Sequence, residues 1–325
     1  MTRVQQVLFE LETSYCGRPY YVPGNALFNA ISRRVDEVTR RSVCVSHGVF
    51  IPGEYGEYSE GHSQDGYAGV LGSSLPAVES YEDLFLYRDP AQRWLLDSRA
   101  RDAHNTHDLE SHGGRTAFAP RCFFGRPAEV RNHKRSVQWY LHCYVHAGRG
   151  GEGILPVSAD VLDGVRVGGA RNYGFGEMSV ADTQLVDLDA LDYSRLSGVT
   201  GGCVLELVTP YVLSSTFPEA EAQSVPWWWG VSSDAPLATR TGGSDVSDGL
   251  RRREERLIAG ETIHELGCVD HGQVVGYAGN DPVATAKNGV LRVGTHSRYG
   301  YGELRVRPAG ESRVPERGVQ AGGDV

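Results

Sequence analysis

Gly168-Gly169-Ala170-Arg171-Asn172-Tyr173-Gly174-Phe175-Gly176-Glu177 returns 126 residues later as Gly294-Thr295-His296-Ser297-Arg298-Tyr299-Gly300-Tyr301-Gly302-Glu303. The two copies lie in an ungapped match of Pro156 to Val180 with Pro282 to Val306, identical at ten of twenty-five positions. Each copy is followed by a β-rich stretch, Met178 to Leu188 and Leu304 to Arg307. A loop written twice ahead of a strand predicts two copies of one small domain. The glycines mark places where the backbone turns tightly or is closely approached.

Outward from the loops, Val7, Phe9 and Leu11 alternate with Leu8, Glu10 and Glu12, which predicts a first strand with one side partly exposed. Pro23-Gly24-Asn25 can cap a helix whose apolar stripe is Leu27, Ile31, Val35 and Val38. Further strands are expected over 42–51, 138–145, 203–212 and 273–278, and helices over 156–163 and the charged run 250–258. Another short helix is expected around 82–96. Each half therefore mixes strands with one or two helices, compatible with a βαββαβ unit. The expected fold class is α+β, with two ferredoxin-like domains in tandem. The first is assigned to 1–195 with an irregular insertion over 52–114, the second to 200–308 with an insertion over 214–248, and 309–325 to a disordered tail.

The chain of 325 residues is long enough for two such cores. It has no apolar run of membrane-spanning length and no signal-peptide core at its start, so a cytoplasmic location without a membrane partner is expected. Six cysteines form no C-x-x-C pair, which favours free thiols over disulfides or a zinc site. No cofactor is called for. The formal charge of -9 argues against a nucleic-acid partner, but its distribution does not. Only Lys134 and Lys287 are lysine among 32 basic residues, a composition suited to a halophile or a GC-rich genome, where bulk acidity serves solubility. Arg115, Arg121, Arg126, Arg131, Lys134 and Arg135 cluster around Phe118, Phe123 and Phe124, a combination that holds phosphates and stacks bases but also suits a solvated face.

Three chemistries use glycine loops of this kind. A dinucleotide fold requires a strand before the loop and a helix after it, and the order here is reversed. A phosphate-binding P-loop requires lysine followed by serine or threonine, which neither copy has. There remains a loop whose amides and close approach accommodate a phosphodiester backbone, with Arg166, Arg171, Arg292 and Arg298 supplying charge. A plain tight turn is the alternative, and the duplication favours function.

Gly, five residues, then Gly-aromatic-Gly before a final strand resembles the signature loop of the RAMP superfamily of CRISPR-associated proteins. Val22-Pro23-Gly24-Asn25-Ala26-Leu27 is similar to that family's segment at the start of the first helix, with asparagine in place of the usual serine. His271-Gly272-Gln273-Val274-Val275-Gly276-Tyr277 is similar to its strand upstream of the last loop. The resemblance covers both halves but not the insertions. It implies two RRM-like domains in a guide-RNA-binding subunit of a CRISPR effector complex, partnered by other effector subunits. RNA would then be held at Gly168, Gly169, Arg171, Gly174, Gly176, Gly294, Arg298, Gly300 and Gly302, with Arg33, Arg34, Arg121 and Arg126 adding charge.

The alternative within the family is a metal-independent endoribonuclease that processes the guide precursor, with His47, just past the first helix, as general acid or base and His142 and His146 behind it. Two loops favour binding over processing. Asp65 or Asp102 would be the candidates for an insertion-loop aspartate that cuts target RNA. His104, His107 and His112 could hold a metal but lack cysteine partners, and a solvated loop fits them better. A third reading is a duplicated ferredoxin-like protein that binds something other than nucleic acid.

Overall fold

The computed structural model describes residues 2–17, 21–53, 55–57, 68–70, 72–88, 109–112, 115–118, 120–124, 135–148, 151, 153–199, 202–218, 220–230 and 249–310. The expected disordered tail lies outside them apart from 309–310, as do most of both insertions.

In the first half, β1 (Arg3–Leu11) is followed by β2 (Tyr21–Val22), α1 (Gly24–Ile31), α2 (Glu37–Ser42), β3 (Val43–Val45) and β4 (Gly48–Pro52). Five short strands follow, β5 (Tyr55–Glu57), β6 (Ala68–Val70), β7 (Leu109–His112), β8 (Arg115–Phe118) and β9 (Arg121–Phe124), and then the long β10 (Arg135–Ala147). α3 (Ala159–Leu162), β11 (Val165–Arg166), β12 (Glu177–Asp187) and α4 (Ser194–Ser197) complete the half. Its main sheet runs β11-β12-β1-β10-β4-β2, antiparallel at every pairing. β1 is central, matching Val4 with His146 on one side and with Val186 on the other.

The alternation in β1 is real, but neither face is left to solvent. Val7, Phe9 and Leu11 pack with Leu27, Phe28 and Ile31 of α1, while Leu8 packs with Ile51, Leu86 and Tyr87. The back face is covered by residues 73–88, which include a 3-10 turn at Glu82–Phe85. No periodicity in β1 could announce that cover, because it is supplied from the first insertion.

The helical stripe breaks sooner than its period suggests. α1 ends at Ile31, and Asp36 starts α2 by accepting from the amides of Val38 (2.8 Å) and Thr39 (3.0 Å). A capping carboxylate satisfies orphan amides and resets the helix axis. Val38 therefore leaves the stripe and is 67% exposed.

The second half comprises β13 (Cys203–Leu207), β14 (Tyr211–Ser215), β15 (Trp229–Gly230), β16 (Arg252–Ala259), β17 (Thr262–Val269), β18 (Val274–Tyr277), α5 (Pro282–Val290) and β19 (Leu304–Pro308). One sheet has the order β15-β18-β13-β19 and a second the order β14-β17-β16. The charged run expected as a helix is strand β16. Arginine, glutamate and leucine favour helix locally, but pairing with β17 buries Glu255 and Leu257 alternately with exposed neighbours, and tertiary pairing overrides weak propensity. No helix lies between β13 and β15 among the described residues. That interval, interrupted by Pro210, Pro218 and Pro226, sends β14 to pair with β17 instead.

The fold is thus α+β, strand-rich, with few and short helices. One core cluster crosses between the halves, joining Val4, Tyr81, Phe85 and Tyr144 to Leu205, Leu207, Val290, Leu304 and Val306. The cysteines described with their side chains form no disulfide; Cys122 is described in its backbone only. No helix among the described residues is long and apolar enough to cross a membrane.

Candidate nucleic-acid interface

Both glycine loops are built by the same backbone bonds. In the first, Val167 N donates to Gly176 O (3.0 Å), Gly176 N to Ser14 O (2.9 Å) and Glu177 N to Thr13 Oγ1 (2.9 Å). In the second, Val293 N donates to Gly302 O, Gly302 N to Pro210 O and Glu303 N to Thr209 Oγ1, each at 2.9 Å. Each loop carries a 3-10 turn, Arg171–Tyr173 or Ser297–Tyr299, ended by a glycine in the left-handed region, Gly174 at φ +88 and Gly300 at φ +95. Each immediately precedes the last sheet strand of its half. The duplication legible in sequence is therefore a duplication of hydrogen bonding.

The amides of Gly169, Gly174, Gly176, Gly300 and Gly302 are not bare. Gly169, Gly174 and Gly176 donate to Cys16 O, Arg171 O and Ser14 O, and Gly300 donates to Ser297 O. An anion at those amides would be held by side chains.

Only the first loop offers such side chains to solvent. Beside it lies an open groove of about 790 Å³, lined by Ala30, Arg33 and Arg34 from the end of α1 and by Gly164, Arg166, Gly168–Asn172 and Glu177. Arg34 ties α1 to the base of the loop, donating to Val161 O (3.2 Å), Gly164 O (2.9 Å) and Asp163 O. Arg166 pairs with Glu177 (Nε to Oε2, 2.9 Å). Arg33 and Arg171 are exposed, and their guanidiniums make no hydrogen bond or ion pair among the described residues. Tyr173, at the loop tip, is 77% exposed.

The second loop faces inward, against the first half. Tyr299 meets Phe28 edge to face, with ring centroids 5.2 Å apart, and Arg298 lies 4.5 Å above the Phe28 ring while donating to Arg40 O. Gly300 sits on His47, whose backbone nitrogen is 2.7 Å from where a Cβ would stand. Gly294 abuts Gln223 and Tyr211. Arg298 and Gly300, grouped by sequence with the first-loop residues, thus belong to a contact between the halves, while Gly294 and Gly302 pack within the second half.

His47 lies in that contact, 6% exposed. Its Nδ1 accepts the Gly24 amide (3.1 Å), and its ring stacks on Tyr21 and meets Tyr301 edge-on at 5.0 Å. A cavity of about 50 Å³ beside it is lined by Tyr21, Arg88, Thr209 and His271 among others. The nitrogen that would serve as a base is engaged in closing the start of α1. His142 and His146 are interior: burial holds His142 well below the ordinary imidazole range and pushes His146 down to about 3, with Arg292 adding repulsion. Both are neutral at physiological pH.

Arg121 is described only in its β9 backbone, and Arg126, Asp65, Asp102, His104 and His107 lie outside the described residues, while His112 is on β7, described in backbone alone. Among the described residues no group of histidine, cysteine and carboxylates gathers as metal ligands. Sequence reasoning passed over Tyr173, although its recurrence as Tyr299 was available as a signal. It also missed Arg88, which sits in an unpatterned segment without any. No family model matches the chain, and no curated protein is significantly similar to it.

Proposed function

We propose that the chain is an RNA-binding subunit of the RAMP kind, holding guide RNA of a CRISPR effector by its phosphates in the groove beside the first glycine loop. The observation that carries this reading is the pair of guanidiniums, Arg33 and Arg171, that line an open groove without a partner among the described residues, next to the exposed Tyr173 at the loop tip. Unpaired arginines next to an exposed aromatic suit a single strand, whose phosphates and bases they engage together. The fold supports it. The order β12-β1-β10-β4 is that of the fourth, first, third and second strands of a ferredoxin-like unit. β19-β13-β18-β15 repeats that order without its first helix. In this reading the halves are two such units, the first loop binds RNA, and the second joins the units.

The test is fluorescence anisotropy of labelled single-stranded RNA across a salt series. Affinity falls as salt rises, and Arg33→Gln and Arg171→Gln each reduce the slope of log K against log salt by about 0.7, the value for one phosphate on a single strand. A salt-independent affinity, or slopes unchanged in both variants, refutes the groove as the RNA site.

A further inference from the structure

Arg292 and Glu303 occupy in the second loop the positions that Arg166 and Glu177 occupy in the first. Across the first loop those two side chains pair directly. Across the second they do not. Glu303, fully buried, is gripped instead by Arg88, Nε to Oε1 at 2.6 Å and Nη2 to Oε2 at 2.5 Å. Arg88 is itself fully buried and gives its remaining Nη1 to His47 O at 2.9 Å. Arg292, 5% exposed, donates Nε to Ser297 O (2.8 Å), and neither Nη has a hydrogen-bond partner among the described residues.

One carboxylate thus serves only one of two buried arginines, and the one left over is the one whose counterpart in the other copy has the partner. A buried guanidinium without a partner is unfavourable, so Glu303 has a second acceptable donor within the same loop. Burial pushes Arg292 down to about 10, and Glu303 is the main charge opposing that shift.

We infer that Glu303 is a two-way acceptor and that residues 73–88 form a releasable strap: when Arg88 withdraws, Glu303 pairs with Arg292 as Glu177 pairs with Arg166. This goes beyond the RNA reading and does not depend on it. Removing one partner of a buried pair is normally strongly unfavourable because the other charge is left bare. Here it is not left bare, so breaking the Arg88 pair adds little to the cost of detaching the strap, which is set by its buried contacts, Tyr81, Leu84 and Phe85 among them. The strap lies across the back of the first sheet, with Leu86 and Tyr87 on Leu8 and Ile51, and Glu82 paired to Arg305. Its departure uncovers His142 and Tyr144, which it now covers through Tyr87 and through Leu84 O, the acceptor of the Tyr144 hydroxyl.

The test uses the full chain in four forms besides wild type: Arg88→Met, Arg292→Met, the double variant, and the double variant with Glu303→Leu. Thermal unfolding and hydrogen exchange by mass spectrometry are read together. Each single variant keeps one arginine for Glu303 and stays folded. In Arg88→Met the peptides over 73–88 exchange at least tenfold faster, while those over 292–303 keep their protection. In Arg292→Met, with the competing donor gone, the strap exchanges more slowly than in wild type. The double variant lowers Tm by more than the sum of the singles, and Glu303→Leu recovers part of that loss. An additive double variant refutes the inference, as does a strap that exchanges as fast or faster in Arg292→Met. Failure of Arg88→Met to fold also refutes it, because Arg292 would then not have taken the vacated place.

Discussion

Gly174→Ala and Gly300→Ala place the same methyl group at the same position of two matched loops, and they separate a loop that faces solvent from one that joins the halves. Both glycines have positive φ, at +88 and +95, so each alanine carries the left-handed penalty of about 1–2 kcal/mol. At Gly174 nothing lies within 4 Å of the added Cβ, and that penalty is the whole effect. At Gly300 the Cβ overlaps the His47 ring at Nδ1, with His47 N at 2.7 Å and Cε1 at 3.0 Å, so the histidine must move. Overpacking of that sort adds about 1–3 kcal/mol. Displacing His47 also strips the acceptor from the buried Gly24 amide, a further loss of about 1–3 kcal/mol. Gly300→Ala is thus expected to destabilise by at least about 2 kcal/mol more than Gly174→Ala, on these ranges. Urea denaturation followed by tryptophan fluorescence measures the difference, and RNA anisotropy on the folded variants gives the second half of the result. Gly174→Ala loses only the left-handed penalty of about 1–2 kcal/mol, and Gly174→Val, bulkier beside the groove, weakens RNA binding without unfolding the chain. Equal destabilisation by the two alanines, or selective loss of RNA affinity in Gly300→Ala with unchanged stability, would refute the division of labour between the loops.

Two further outcomes follow from the interior and the groove. His146 is held at about 3 by burial against an ordinary value of 6.5, so the unfolded chain takes up its proton first. Its contribution to stability is complete above pH 6.5 and is lost as pH falls toward 3, and His146→Leu should flatten that acid limb in urea titrations at pH 7, 5.5 and 4.5; an unchanged limb disproves it. Tyr173→Ala, which removes an exposed side chain, should leave stability unchanged and weaken single-stranded RNA by about 1–3 kcal/mol, the value of one stacked base, with the salt slope unaltered. A change in slope would mean that the ring acts through the arginines.

What the sequence determined by itself is whatever depends on neighbours along the chain. The ten-residue loop repeats in register, and three glycines of each copy, Gly168, Gly174 and Gly176 and then Gly294, Gly300 and Gly302, take the left-handed conformation. The alternation in β1 and the strands around 138–145 and 273–278 were legible for the same reason: pleating and loop geometry are local. Even the end of the first helix at Ile31 has its local sign in Asp36, overlooked because the apolar period ran on to Val38. What only the tertiary structure decided is which copy of a repeated motif meets solvent. Arg171 and Tyr173 lie open because no described element covers them, whereas Arg298 and Tyr299 are covered by Phe28, some 270 residues earlier in the chain. The same holds for β16, helical by composition and extended because β17 pairs with it, and for Glu303, whose partner is Arg88 from an unpatterned insertion rather than Arg292 eleven residues away. Matched local sequences keep the same turn and the same glycine conformations, but burial and ion-pair choice are set by whichever distant side chain occupies the adjoining space, and a linear pattern carries no record of that.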